Sequence, residues 1–205
     1  MRTRALGVLT SLLLALGAAV VLSAPAQAAG ERRVSIVFDK NWKYQFRSQV
    51  IWKVERPCAN GTWRLVDRAA WRAGSGLADK HGRNACVRNH GWLPDGVYGV
   101  RHHAHYDGTY INGRVFRLDD KRCHNGTIRQ NLFIHSEQTV RNTQCRDTAG
   151  DQVCRWEWPK VNDYRSNGCI KMAPGAIRQL SERYHRFFVS GVRYRTSKVR
   201  LVVRR

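Results

Sequence analysis

The chain has 205 residues, 36 of them Lys or Arg against 15 Asp or Glu, for a net charge of +21. That length is enough for one domain with a real core, and no repeat, low-complexity tract or Pro/Ser-rich linker divides it, which excludes a repeat array or a string of modules. The basic residues run through the whole chain. They favour polyanionic partners outside the cell (anionic wall polymers, anionic lipid or nucleic acid) or else form a solvated face with no dedicated partner.

In chain order, Arg2 and Arg4 precede an apolar run from Ala5 to Leu22, and Ala26-Gln27-Ala28 has the small-x-small form of a cleavage site. A signal peptide over residues 1–28 is expected, followed by one domain over 29–205. A single membrane helix is the competing reading of the same run, but its Ala-rich composition and small-residue exit favour cleavage. No cysteine lies near the cut, so no lipid anchor is expected, and Arg2 and Arg4 are not adjacent, so ordinary secretion is. No membrane span is expected after cleavage.

The next segments read as strands. Val34–Phe38 and Gln49–Val54 are rich in β-branched and aromatic residues. Asn60-Gly61 turns the chain before Thr62–Val66, and residues 73–76 and 81–84 read as loop. Leu93-Pro94-Asp95-Gly96 launches a strand that runs to Tyr106, and Tyr110 to Leu118 returns after Asp107-Gly108. Another strand is expected from Thr127 to Ile134, delivering His135. Residues 136–164 read as a polar flap stapled by Cys145 and Cys154 and closed by Trp156 and Trp158. One helix begins at Pro174, with Ile177, Leu180, Tyr184, Phe187 and Phe188 along one face and Gly191 as its stop. Val199–Val203 reads as a last strand. Many strands and one helix predict a mainly β domain, a curved sandwich or open barrel with one short α-helix near the C-terminus.

Six cysteines in an exported chain permit three disulfides. The even count argues for a third bridge that takes Cys169; with Cys169 free, the expected pairs are Cys145 with Cys154, which are close in sequence, and Cys58 with Cys86, which leaves Cys123 to stay reduced or to pair elsewhere. Cys169 is set apart by its context, Arg165-Ser166-Asn167-Gly168-Cys169-Ile170, where it follows a glycine turn. His135 ends an apolar run upstream. A thiol is mostly protonated at neutral pH and needs a base, and a histidine can take its proton and return it to a leaving amine. Gly168 permits a sharp turn that would aim the Gly168 and Cys169 amides at a developing oxyanion. Acylation of Cys169 is expected to fall as His135 becomes protonated, between pH 8 and pH 5.

Ser166-Asn167-Gly168-Cys169-Ile170-Lys171-Met172 resembles the cysteine motif of the L,D-transpeptidase family (the YkuD-like catalytic domain). Ser75-Gly76, Leu93-Pro94-Asp95-Gly96-Val97-Tyr98 and Ile134-His135-Ser136 resemble further segments of that family in the same order. The resemblance is good over roughly residues 70 to 175 and weak over the first strands. Three features depart from it: Asn167 stands where the family usually has a second histidine, Lys171 where it has an arginine, and the segment between His135 and Cys169 is longer.

The resemblance implies a barrel of that family's type, and no cofactor or metal ion is expected. It implies a catalytic set of Cys169, His135, Ser136 and Gly168, with the Ser136 carbonyl fixing the imidazole. Arg165, Ser166, Asn167, Lys171, Trp158 and Tyr164 would contact substrate. The partner would be peptidoglycan, with anionic wall polymers as a further partner and no specific nucleic acid, for a secreted, wall-associated transferase. It would release D-alanine from a stem tetrapeptide and form a 3–3 cross-link through a thioester. The alternatives are a carboxypeptidase or peptidoglycan hydrolase on the same fold, and a non-catalytic basic disulfide-bonded protein that binds the wall.

His102, His103 and His105 offer too few ligands on one strand face to hold zinc. Asn60-Gly61-Thr62 and Asn125-Gly126-Thr127 match a glycosylation pattern but read as turns in a bacterial wall enzyme, which the resemblance implies.

Overall fold

The computed structural model describes residues 31–189 and 194–204. The expected signal peptide, its cleavage after Ala28 and the helix stop at Gly191 lie outside the described residues.

Among the described residues ten strands and one α-helix follow one another: β1 Arg33–Asp39, β2 Ser48–Pro57, β3 Trp63–Gly74, β4 Gly96–Asp107, β5 Asn112–Leu118, β6 Lys121–Arg122, β7 Ile128–Arg129, β8 Phe133–His135, β9 Ile170–Met172, α1 Pro174–Val189 and β10 Arg200–Arg204. The mainly β expectation holds. Eight strands close in the order β1-β10-β4-β5-β8-β9-β3-β2, and β6 and β7 form a separate ribbon. Two neighbouring pairs in the ring are parallel, β1 with β10 and β8 with β9; the other six are antiparallel. Closure leaves no unpaired sheet edge in the ring.

Alternation puts one set of side chains inside: Ile36, Phe38, Val50, Trp52, Phe116, Ile134, Ile170, Met172 and Leu201 are all buried in one cluster. The helix adds Ile177, Leu180, Tyr184 and Phe187 to it, at the three-and-four spacing of one helical face. Trp52 and Phe187 meet edge to face at 6.1 Å. Each such side chain contributes about 1.5–3 kcal/mol by leaving water, so this seam anchors the helix to the barrel.

Two strand boundaries differ from the sequence reading, and both serve the region around Cys169. The expected loop at 73–76 begins later, because β3 runs on to pair Ala73 with Met172 and Gly74 with Lys171. The expected strand from Thr127 to Ile134 is broken. Asn131 takes φ +54°, ending β7 and starting β8 in a different sheet. Asn tolerates that conformation because its short side chain bonds locally.

Candidate active site

Strands β8 and β9 lie parallel, with Ile134 opposite Ile170 and His135 opposite Lys171. Period-two alternation then divides them cleanly. Ile134, Ile170 and Met172 enter the core, while His135, Cys169 and Lys171 share the other face. With Glu137, they line one cavity of about 470 Å³, together with Arg165, Ser166 and Asn167. The segment between the strands contributes Asp151 and Val153, from the stapled flap, to its lining. Cys145 and Cys154 are bonded as expected, and the Cys145 amide donates to the Cys154 carbonyl.

His135 is buried, and its Nδ1 donates to the Ser136 carbonyl oxygen at 3.1 Å. A carbonyl only accepts, so the proton sits on Nδ1 and Nε2 is the basic nitrogen. Burial, with Lys171 nearby, pushes the imidazole down to about 3. Cys169 is free of any disulfide. Burial pushes its thiol up to about 11, opposed by the Phe133 amide and by the charges of Lys171 and Arg129. The resting pair is therefore a neutral thiol and a neutral imidazole. The thiol donates to the Asn131 carbonyl at 3.5 Å, and among the described residues no hydrogen bond joins it to the His135 ring.

A network of serines holds the Cys169 loop. Ser166 Oγ donates to the Cys169 carbonyl at 2.5 Å and accepts the amides of Gly76, at 3.2 Å, and Gly168, at 3.3 Å. Ser75 Oγ accepts the Leu93 amide and donates to the Gly168 carbonyl. These bonds revise two expectations. The hydroxyl of Ser166 is spent on the loop rather than on a substrate, and the Gly168 amide is already engaged, so it is not an oxyanion donor in this state. Gly168 serves packing instead: it sits at φ +122°, and a Cβ there would overlap the guanidinium of Arg129.

Lys171 also departs from its expected role. Its ammonium pairs with Glu137, so it is not free to hold a substrate carboxylate. Burial pushes Glu137 up to about 8; Lys171 opposes that rise and Asp163 adds to it. Glu137 Oε2 and Asp163 Oδ1 are both buried without a hydrogen-bond partner. Glu137, Asp151 and Asp163 bring carboxylate oxygens within 4.8 Å of one another, the spacing of a metal-ligand set, but Lys171 already supplies a cation there. Arg165 lies at the cavity's edge, 4.0 Å from Asp151.

Trp158 and Tyr164 are not in the cavity lining. They clasp the Arg72 guanidinium of β3, whose carbon lies 4.3 Å and 4.1 Å from their ring centroids, and Trp156 stacks edge-on against Tyr164. They fasten the flap to the barrel. The expected Cys58–Cys86 bond is also wrong: Cys86 joins Cys123 with Cα atoms 5.7 Å apart, and Cys58 is free. Cys58 sits in the β2–β3 turn, where its backbone amide donates to the Thr62 carbonyl, while two loops bring Cys86 and Cys123 together. The histidines of β4 do not converge. His102 Nε2 meets Ser181 Oγ at 2.8 Å under the helix, and His105 Nδ1 meets the Val140 carbonyl.

Sequence reasoning missed Asn131, Glu137 and Arg129. A backbone carbonyl acceptor has no sequence signal, and nothing singles out one arginine among 36 basic residues. Comparison of the chain with family models, with curated proteins and with solved structures finds no match to any of them.

Proposed function

We propose that this protein is a secreted cysteine acyltransferase acting on peptidoglycan stem tetrapeptides, with Cys169 as nucleophile and His135 as base. The observation that carries this reading is the parallel β8–β9 pair, which presents an unbridged thiol and a tautomer-fixed imidazole to one cavity. The resemblance of the Ser166–Met172 segment to L,D-transpeptidases supplies the substrate class.

On substrate binding the thiol leaves the Asn131 carbonyl and gives its proton to His135 Nε2 as sulfur attacks the carbonyl carbon before the terminal D-alanine. Concerted transfer suits a pair that is neutral at rest, because no separated charges have to persist in a buried site. The Cys169 amide is the oxyanion donor of this reading. The C–N bond then breaks, the amine leaves with the proton from His135, and a thioester remains. An acceptor amine attacks the thioester and gives a proton to His135 Nε2, the C–S bond breaks, and that proton passes to sulfur and restores the thiol. Ser166, Ser75 and Gly168 hold the loop, and Asn167 and Arg165 face the bound chain.

Incubation with a carbapenem followed by intact mass measurement tests this reading. The wild-type protein gains one adduct on Cys169, and Cys169→Ala gains none. An unmodified wild-type protein sinks the enzymatic reading. Product analysis with tetrapeptide muropeptides then distinguishes cross-linked dimer from plain loss of D-alanine.

A further inference from the structure

Arg129 is a buried arginine for which no carboxylate partner exists among the described residues. Its Nη1 donates to the carbonyls of Ala85 and Trp92, and its Nη2 to those of Gly91 and Asn167 at 3.0 Å and 3.3 Å. Three of these acceptors belong to the loop between β3 and β4. The fourth belongs to the turn that carries Cys169. The arginine is thus a bolt between two loops, its guanidinium lying in the space that a side chain at Gly168 would fill. The disulfide from Cys86 to Cys123 fastens the first of these loops one residue from the Ala85 carbonyl.

Four carbonyls satisfy the guanidinium's hydrogen bonds but not its charge. A buried cation is costly unless an anion lies nearby. Three titratable or charged groups interact with it electrostatically: Arg88, which repels it, Tyr98 and Cys169. The Tyr98 hydroxyl donates to the Pro94 carbonyl at 2.7 Å, and burial raises its pKa, so it stays neutral. That leaves the sulfur of Cys169 as the group beside Arg129 on which a negative charge can form. Lys171, the other cation near that sulfur, has its ammonium held by a hydrogen bond to Glu137.

We propose that Arg129 is a positioning residue for Cys169: its carbonyl bonds fix the Asn167–Gly168 turn, and its uncompensated charge stabilises the thiolate as the proton leaves. The inference rests on the reading of Cys169 as nucleophile, but its test does not need the acyl donor.

The test measures the rate of iodoacetamide alkylation at Cys169 against pH in the secreted protein, with adducts located by peptide mass. Arg129→Lys keeps the charge, and Arg129→Gln keeps donors without it. The expected result is alkylation at pH 8 slowed about tenfold or more in Arg129→Gln, its pH curve displaced to higher pH, with Arg129→Lys, which keeps the charge but not the four-carbonyl fork, falling between Arg129→Gln and wild type. Alkylation at Cys58 should be unchanged in all three and serves as the internal reference. A purely structural role would slow both variants alike or neither. Equal Cys169 curves for the Lys and Gln variants therefore overturn the proposal, as does a wild-type Cys169 that iodoacetamide never reaches. If Arg129→Gln does not fold, Arg129→Met replaces it in the comparison with Arg129→Lys, on the same criterion. A wild-type protein that alkylates at Cys169 yet ignores the carbapenem defeats the acyltransferase reading and leaves the role of Arg129 to be decided by the variant curves.

Discussion

The hydrogen bond from His135 Nδ1 to the Ser136 carbonyl, 3.1 Å long, makes Nε2 the only basic nitrogen of a ring that is otherwise buried. Burial decides the rest of the ring's behaviour. It holds the imidazole neutral down to about pH 3, far below the window in which a solvated histidine titrates.

The pH profile of acylation therefore differs from the one the sequence implies. Carbapenem acylation of Cys169, followed by intact mass, should show no loss between pH 8 and pH 5 attributable to His135, and an acid limb should appear only well below pH 5. The group is depressed in the fold, so its stabilising contribution is present above about 6.5 and is lost as pH falls through about 3. His135→Ala should slow acylation by about 10²–10⁴-fold at pH 7. A wild-type limb centred near pH 6.5 would show that the ring is solvated.

Glu137 sets an opposite dependence. Its folded pKa, about 8, lies above the ordinary 4.5, so its contribution is complete below about pH 4.5 and is lost as pH rises through about 8. Thermal melts should give a falling Tm from pH 5 to pH 9, and Glu137→Gln should flatten that slope. An unchanged slope in the variant would place the titrating group elsewhere.

A thiol titration on the folded protein should find two reactive groups, Cys58 and Cys169, and unfolding should add none before reduction. Loss of the Cys86–Cys123 bond in the double Ser variant should cost about 3–4 kcal/mol, because it closes a long loop, whereas Cys58→Ser should be nearly neutral. Chemical denaturation of the three proteins provides the comparison. A folded wild-type protein with no reactive thiol would favour the non-catalytic reading.

Trp158→Ala removes one side of the clasp around Arg72 without touching the cavity. It should lower stability by about 0.5–2 kcal/mol and leave the carbapenem acylation rate within about twofold of wild type. A large drop in rate with unchanged stability would return Trp158 to the substrate wall.

The β elements and the helix were legible because alternation and three-to-four spacing are local. Val34–Phe38, Gln49–Val54 and the face from Ile177 to Phe187 carry their burial in their own order of residues. The His135 and Cys169 motifs were legible for a related reason: a histidine that ends an apolar run and a cysteine after a glycine are local patterns. Their partners were not. The Asn131 carbonyl reaches Cys169 only because a single positive φ breaks the strand that periodicity would have continued. Cys123 pairs with Cys86 and not with nothing, because closeness in sequence says little about loops brought together by a barrel.

By itself, then, the amino-acid order determined which segments pair as strands, which face of the helix is apolar, and which thiol and imidazole are candidates for chemistry. Only the tertiary structure decided that Lys171 is spent on Glu137, that Ser166 braces a loop, that Trp158 and Tyr164 hold Arg72, and that Arg129 bonds the Asn167 carbonyl in the turn before Cys169. The reason is physical. Periodicity and turn chemistry act between neighbours in the chain, whereas desolvation and charge depend on what the fold places within a few ångströms, and a basic side chain looks the same in sequence whether it ends in water or in the core.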